Sequence, residues 1–156
     1  MKRASFTLIE LIIVIAILGV LAAVVMPIYL NLRPQAIEAS EDGIIAEIKV
    51  AVHHKYTENI IAGLDESAAW PAVNPFTLLA KSPPQQSIVS ATQLDGYWKR
   101  YNRGGIGQWN IFCPHWDGNA LGNGYTRGRM WVYCYNGSIN PNYKSGEFVL
   151  EKDGGH

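Results

Sequence analysis

One carboxylate stands where a carboxylate is expensive. Glu10 lies near the start of a run in which no residue from Leu11 to Met26 is polar. On insertion scales a charge deep in hydrocarbon costs on the order of 2.5–3.5 kcal/mol, so Glu10 calls for a partner or a task. The other reactive side chains form no catalytic constellation. GxSxG, HExxH, phosphate-loop and dinucleotide patterns are absent, and the four histidines are scattered. His53 and His54 are neighbours on a helical segment, where adjacent residues diverge by about 100° and do not converge on one metal. Cys113 and His115 with a distant Cys134 make an incomplete zinc set. Asp117, Asn119 and Asn123 could offer oxygen ligands to calcium, short of a full calcium-loop pattern. The expectation is therefore no enzyme, no resident metal and no other cofactor, with calcium as the one alternative. The segment Tyr97-Trp98-Lys99-Arg100-Tyr101-Asn102-Arg103 interleaves bases and aromatics. It could grip a single-stranded nucleic acid by stacking and phosphate contacts. The competing reading, and the expected one, is a strand edge protected by solvated cations.

The element that positions Glu10 is the apolar run itself. As a helix rising about 1.5 Å per residue, Phe6 to Met26 spans roughly 30 Å, the thickness of a bilayer core. Lys2 and Arg3 are the only charges ahead of the run, which keeps the N-terminus cytoplasmic and places the remainder across the membrane. A secretory signal has a shorter apolar core and a small-x-small cut site, which Val24-Val25-Met26-Pro27 does not supply. A plain signal anchor would explain the length and the two cations, but not Glu10 so close to Phe6.

The motif Phe6-Thr7-Leu8-Ile9-Glu10, the apolar run, Pro27, and the basic leader Met1-Lys2-Arg3-Ala4-Ser5 together resemble the N-terminus of type IV pilins and of type II secretion pseudopilins. The resemblance implies cleavage between Ser5 and Phe6 by a membrane-embedded prepilin peptidase and N-methylation of the new Phe6 terminus. Ser5 stands where that family usually has glycine. It further implies self-assembly into a helical filament through the N-terminal helix, on an inner-membrane assembly platform. Glu10 would be the assembly residue, paired with the N-terminus of another subunit. A pair within one chain is the competing arrangement. The stretch between Gly19 and Pro27 would be the place where the helix kinks or melts on packing. The protein would begin in a bacterial inner membrane with its head outside and end in a periplasmic or extracellular filament. The alternative function is a membrane-anchored binding protein that never polymerises, such as a DNA receptor.

Residues 1–5 read as leader, 6–33 as the membrane and filament-core helix, 34–62 as an amphipathic helix half and 63–156 as a globular head. The 156 residues carry equal numbers of acidic and basic side chains, 13 of each, and loss of Lys2 and Arg3 would leave 11 against 13. Such a balance gives no global signal for nucleic acid. Ile37, Ile44, Ile45, Ile48, Val52, Tyr56 and Ile60 recur at three and four, the stripe of a helix laid on a core. Gly63 suits its end. The connector after it is broken by Pro71, Pro75, Pro83 and Pro84, with room for one short helix capped by Asn74. Of the 17 aromatics, 12 lie between Tyr97 and Phe148, which places the sheet there. Runs at 108–113, 129–135 and 147–152 read as antiparallel strands, giving an α+β fold with a long N-terminal helix on a small antiparallel sheet. In an exported head, Cys113 and Cys134 are most simply one disulfide.

Overall fold

The computed structural model describes residues 6–87, 96–118, 128–140 and 142–154. Helix α1 runs Leu8–Ile61 and a short helix α2 runs Glu66–Ala69. Five strands follow: β1 (Gln85–Ser87), β2 (Trp98–Arg103), β3 (Gln108–Phe112), β4 (Arg129–Cys134) and β5 (Phe148–Asp153). The chain divides into two compact units, Met1–Ser40 and Glu41–His156.

In the first unit the described chain is almost entirely helix. Pro27 and Pro34 both lie inside it without ending it. Its described large apolar side chains, from Leu8 through Tyr29 and at Leu32, are exposed all round. A helix apolar on every side is one whose surroundings lie outside its own chain.

In the second unit the helix turns one face inward. Glu41, Ile45, Ile48 and Val52 are buried along a stripe spaced three and four, with Ile44 half-buried beside them. The helix closes as the sequence predicts. Gly63 takes a positive φ of 88°, Gly63 N–H donates to Ile60 O, and Leu64 N–H reaches back to Asn59 O at 3.1 Å. This pair of bonds is the glycine-terminated cap that satisfies the last carbonyls of a helix. Asn74 also caps as expected. Its side chain accepts from Phe76 N–H at 3.2 Å, and Pro75–Leu78 forms a single 3-10 turn.

The sheet has the order β1-β2-β3-β4-β5. β2 to β5 pair antiparallel, as expected for strands without intervening helices. β1 adds three residues in parallel to β2, a departure from a purely antiparallel sheet. It also changes the place of β2, which lies between two neighbours rather than at an edge. One sheet face carries Trp109, Ile111, Trp131 and Tyr133. Trp109 Nε1 donates to Ala72 O at 2.9 Å and Tyr133 OH to Pro71 O at 3.0 Å, so the polar tips of these buried rings are satisfied by the connector. Phe76, Trp98 and Trp131 continue the aromatic packing, with ring centroids 5.7 and 5.8 Å apart in successive pairs. The opposite face carries Tyr101, Gln108, Asn110, Phe112, Met130 and Val132, by the same alternation.

Candidate functional site

Helix α1 begins with a reciprocal cap. Thr7 precedes its first residue, and Glu10 N–H donates to Thr7 Oγ1 at 3.3 Å. Thr7 N–H donates back to Glu10 Oε2 at 2.8 Å, and Thr7 Oγ1 donates to the same oxygen at 2.7 Å. Thr7-Leu8-Ile9-Glu10 is thus a capping box, which satisfies two of the donors a helix start leaves open. The spacing of a threonine and a glutamate three residues on was legible in the sequence, and it gives Glu10 a local partner that the charge argument overlooked. Phe6, the expected new terminus, is 77% exposed just ahead of the cap. Ser5, on the other side of the expected cut, lies outside the described residues.

Gly19 has nothing within 4 Å of where a Cβ would sit. Nothing in the chain requires a glycine there. From Gly19 to Pro27 the backbone remains helical. The helix that carries these residues is long and apolar enough to cross a membrane, and its most apolar window is wholly exposed.

The expected disulfide is corrected. Cys113 and Cys134 are both free and both buried. The β3–β4 register sets Cys134 opposite Gln108, whereas Cys113 follows Phe112 at the other end of the ladder. Five residues of strand separate the two positions, roughly 17 Å at 3.4 Å each. A disulfide bridges Cα atoms at most about 7 Å apart. Cys113 Sγ instead accepts from Arg129 N–H at 3.1 Å, and burial pushes its thiol up to about 11. Burial raises the Cys134 thiol as well. The support that a disulfide lent to export falls with it, and the basic leader and apolar run carry that inference alone.

The basic segment is also redirected. Lys99 is 1% exposed and donates from Nζ to Pro114 O at 2.7 Å. Arg100 bonds Gln85 Oε1 at 2.8 Å and lies over the Trp109 ring. Two of the three cations that could have gripped a nucleic acid are thereby spent inside the head. Of the calcium candidates Asp117 is exposed, while Asn119 and Asn123 lie outside the described residues. Among the described residues no three His, Cys, Asp or Glu side chains come together as a metal set, so Cys113, His115 and Cys134 do not form one. His53 and His54 are both exposed. His53 meets the Trp70 ring edge-on and His54 sits 3.7 Å from Glu58.

Nothing in the residue pattern signals the ionic cluster between α1 and β4. Arg129, 8% exposed, holds Asp42 Oδ1 at 2.7 Å from one nitrogen and stands 3.6 Å from Glu41 Oε2 with the other. Its guanidinium lies over Trp131, 4.8 Å from the ring centroid. A planar guanidinium can serve a carboxylate and an aromatic face together, where an ammonium could not.

No curated protein and no solved structure matches the chain. One family model does, over a limited stretch that contains Phe6, Thr7, Glu10 and Gly19. Residues 1–26 match the prokaryotic N-terminal methylation motif, the type IV pilin and pseudopilin signature, and with the apolar helix they fit a membrane-anchored precursor of the kind prepilin peptidase processes.

Proposed function

We propose that the protein is a structural subunit of a type IV pilus-like filament, as a type IV pilin or a type II secretion pseudopilin, and not an enzyme. The observation that carries this reading is the first unit. Some 25 residues of helix expose apolar side chains on every side and admit one carboxylate. Lipid could cover that surface in the precursor. Lipid does not account for Glu10, which an anchor would do better without. A bundle of identical helices accounts for both, because it covers the apolar surface and brings an amine to the carboxylate. Cleavage before Phe6 creates that amine. In a low-dielectric bundle its attraction to Glu10 of a neighbouring subunit is far stronger than in water and sets an axial step. The head then lies outside the inner membrane, and assembly proceeds from a platform in that membrane.

The capping box offers a rival task for Glu10, and two substitutions separate them. Glu10→Gln keeps an acceptor for Thr7 N–H and removes the charge, since glutamine also completes a capping box. Glu10→Val removes both. If charge pairing drives assembly, both variants reach the membrane fraction normally and both fail to yield sheared filaments. Filaments from Glu10→Gln but not Glu10→Val would assign Glu10 to the cap. Filaments from both would overturn its role in assembly. Intact mass of the same filament protein should show loss of residues 1–5 and gain of one methyl group.

A further inference from the structure

Beside the buried stripe of the second unit, α1 carries a face that its own chain leaves open. Val50 is 70% exposed in the middle of it. Ala46, Val50 and Ala51 on the helix, with Leu78 and Leu79 across from them, line a groove of about 930 Å³. The groove follows α1 from Ala46 to Glu58, about three turns or roughly 18 Å. An exposed apolar cleft carrying charges at its margins is the mark of a contact surface.

The charges of this face are ordered along the helix. Glu47 lies toward its N-terminal end, and Lys55 and Glu58 toward the other. Lys55 Nζ holds Glu58 Oε2 at 3.0 Å, while among the described residues Glu47 forms no ion pair. Glu47 and Lys55 are eight residues apart, two turns of one helix. Side chains on one helix pair at a spacing of three or four, so these two do not serve each other within the chain.

We infer that the head of a second copy docks on this groove, parallel to the first and displaced along α1 by those eight residues. The inference rests on the filament reading, in which all copies enter from one membrane and their helices run in the same direction. Parallel copies in register would set Glu47 against Glu47 and Glu58 against Glu58, and like charges across a contact repel. A displacement of eight residues, roughly 12 Å, brings Lys55 of one copy to Glu47 of the next. Lys55 then stands between two carboxylates, its own Glu58 and the neighbour's Glu47. The contact covers Val50, which water surrounds in the single chain. It uses a different half of the face on each partner, so it is heterologous and repeats without closing.

Charge exchange tests it. Glu47→Lys and Lys55→Glu should each lower the yield of sheared filaments about fivefold or more, with the head still folded by tryptophan fluorescence. The two together should restore much of that yield, and the spacing of the positions makes any such recovery a contact between copies. Cross-linking gives a second reading that needs no filament. A full chain carrying both Glu47→Cys and Lys55→Cys is treated in membranes with a bis-maleimide too short to span two helical turns. The native Cys113 and Cys134 are buried and do not compete. This chain should give a ladder of products beyond the dimer, and either substitution alone should give none. A product from Glu47→Cys alone would mean copies in register, and a product that stops at the dimer an antiparallel pair; either overturns the inference. Wild-type filaments with no ladder, or with no recovery on charge exchange, would overturn it and leave the filament reading standing. A ladder in membranes that yield no wild-type filaments would keep the contact and overturn that reading instead.

Discussion

Glu10 and Glu41 lie on the same helix and face opposite problems. Glu10 is exposed, and its bonds within the chain go to Thr7, three residues away. Glu41 is 4% exposed and stands beside Arg129, which comes from a strand 88 residues later. The first unit meets its polar requirements locally and leaves its apolar surface uncovered. The second covers its apolar surface and meets its polar requirements through distant parts of the chain. A local arrangement survives a change of surroundings, from bilayer to a bundle of helices. A long-range one does not, and is suited to a head that must keep one shape.

The largest effect should come from breaking the long-range side. Arg129→Ala removes the cation beside a buried carboxylate, and breaking one partner of a buried pair costs about 3–5 kcal/mol. Urea unfolding of the full chain in micelles, followed by tryptophan fluorescence, should show that loss. Arg129→Met with Glu41→Gln should recover much of it, because no uncompensated charge then stays buried. A loss below about 1 kcal/mol in Arg129→Ala would mean that the head does not depend on this cluster.

Alkaline pH should separate the two units next. Burial holds the Cys113 thiol up at about 11 against 9.0 in the open chain. Burial, reinforced by Glu151, holds Tyr143 up at about 12, and burial raises Tyr133 too. A raised acid contributes stability that is fully present below its unfolded value. That stability is lost as pH rises toward the folded one. The head should therefore be indifferent to these groups below about pH 9 and weaken between pH 9 and 12, by about 2–3 kcal/mol from Cys113 alone. Far-ultraviolet circular dichroism of the helix should change little over the same range. The buried thiols should also react with a maleimide at pH 7.5 only after denaturation, and the count should be two; a count of zero would restore the disulfide.

How much of this could be read beforehand follows the same division. Local signals were legible: the apolar run, Gly63 closing the helix, Asn74 capping a turn, and β-branched and aromatic runs at the places of β3, β4 and β5. What escaped was set by tertiary context. Gln85-Gln86-Ser87 carries no strand pattern and pairs only because β2 is beside it. Lys99 and Arg100 read as surface cations because sequence cannot show that Pro114 O and Gln85 wait for them. Cys113 and Cys134 looked like a pair because two cysteines in an exported head are most simply one disulfide. The register that puts them at opposite ends is a property of the β3–β4 pairing alone. The buried amides Gln108 and Asn110 hid within a run read only for strand propensity.

A smaller effect should follow from breaking the local side. Thr7→Val removes the hydroxyl of the cap but keeps the size and apolar character of the site. Loss of an N-cap costs about 1 kcal/mol, felt as fraying of the first turn and not as unfolding of the head. Amide hydrogen exchange of Leu8 to Leu11 in micelles should speed up while that of β3 and β4 stays unchanged. Equal rates at the first turn would show that the helix start is held by its surroundings and not by the cap.

The smallest effects, and the sharpest contrast, concern two helical glycines. Neither Gly19 nor Gly43 has any atom within 4 Å of a built Cβ, and neither takes a positive φ. In the isolated chain both are therefore replaceable. In the second unit Gly43→Ala should add about 0.8–1.0 kcal/mol of helix stability, since exposed glycine costs that much relative to alanine in a helix interior. In the proposed filament Gly19 would face neighbouring helices, where small residues let backbones approach closely. Gly19→Leu should leave the precursor in the membrane and its head melting temperature unchanged, yet lower the yield of sheared filaments. The two substitutions thus separate what the chain requires from what a neighbouring subunit requires. Normal filaments from Gly19→Leu would show that no close approach occurs at that level, and would confine the assembly contact of the apolar run to its Glu10 end.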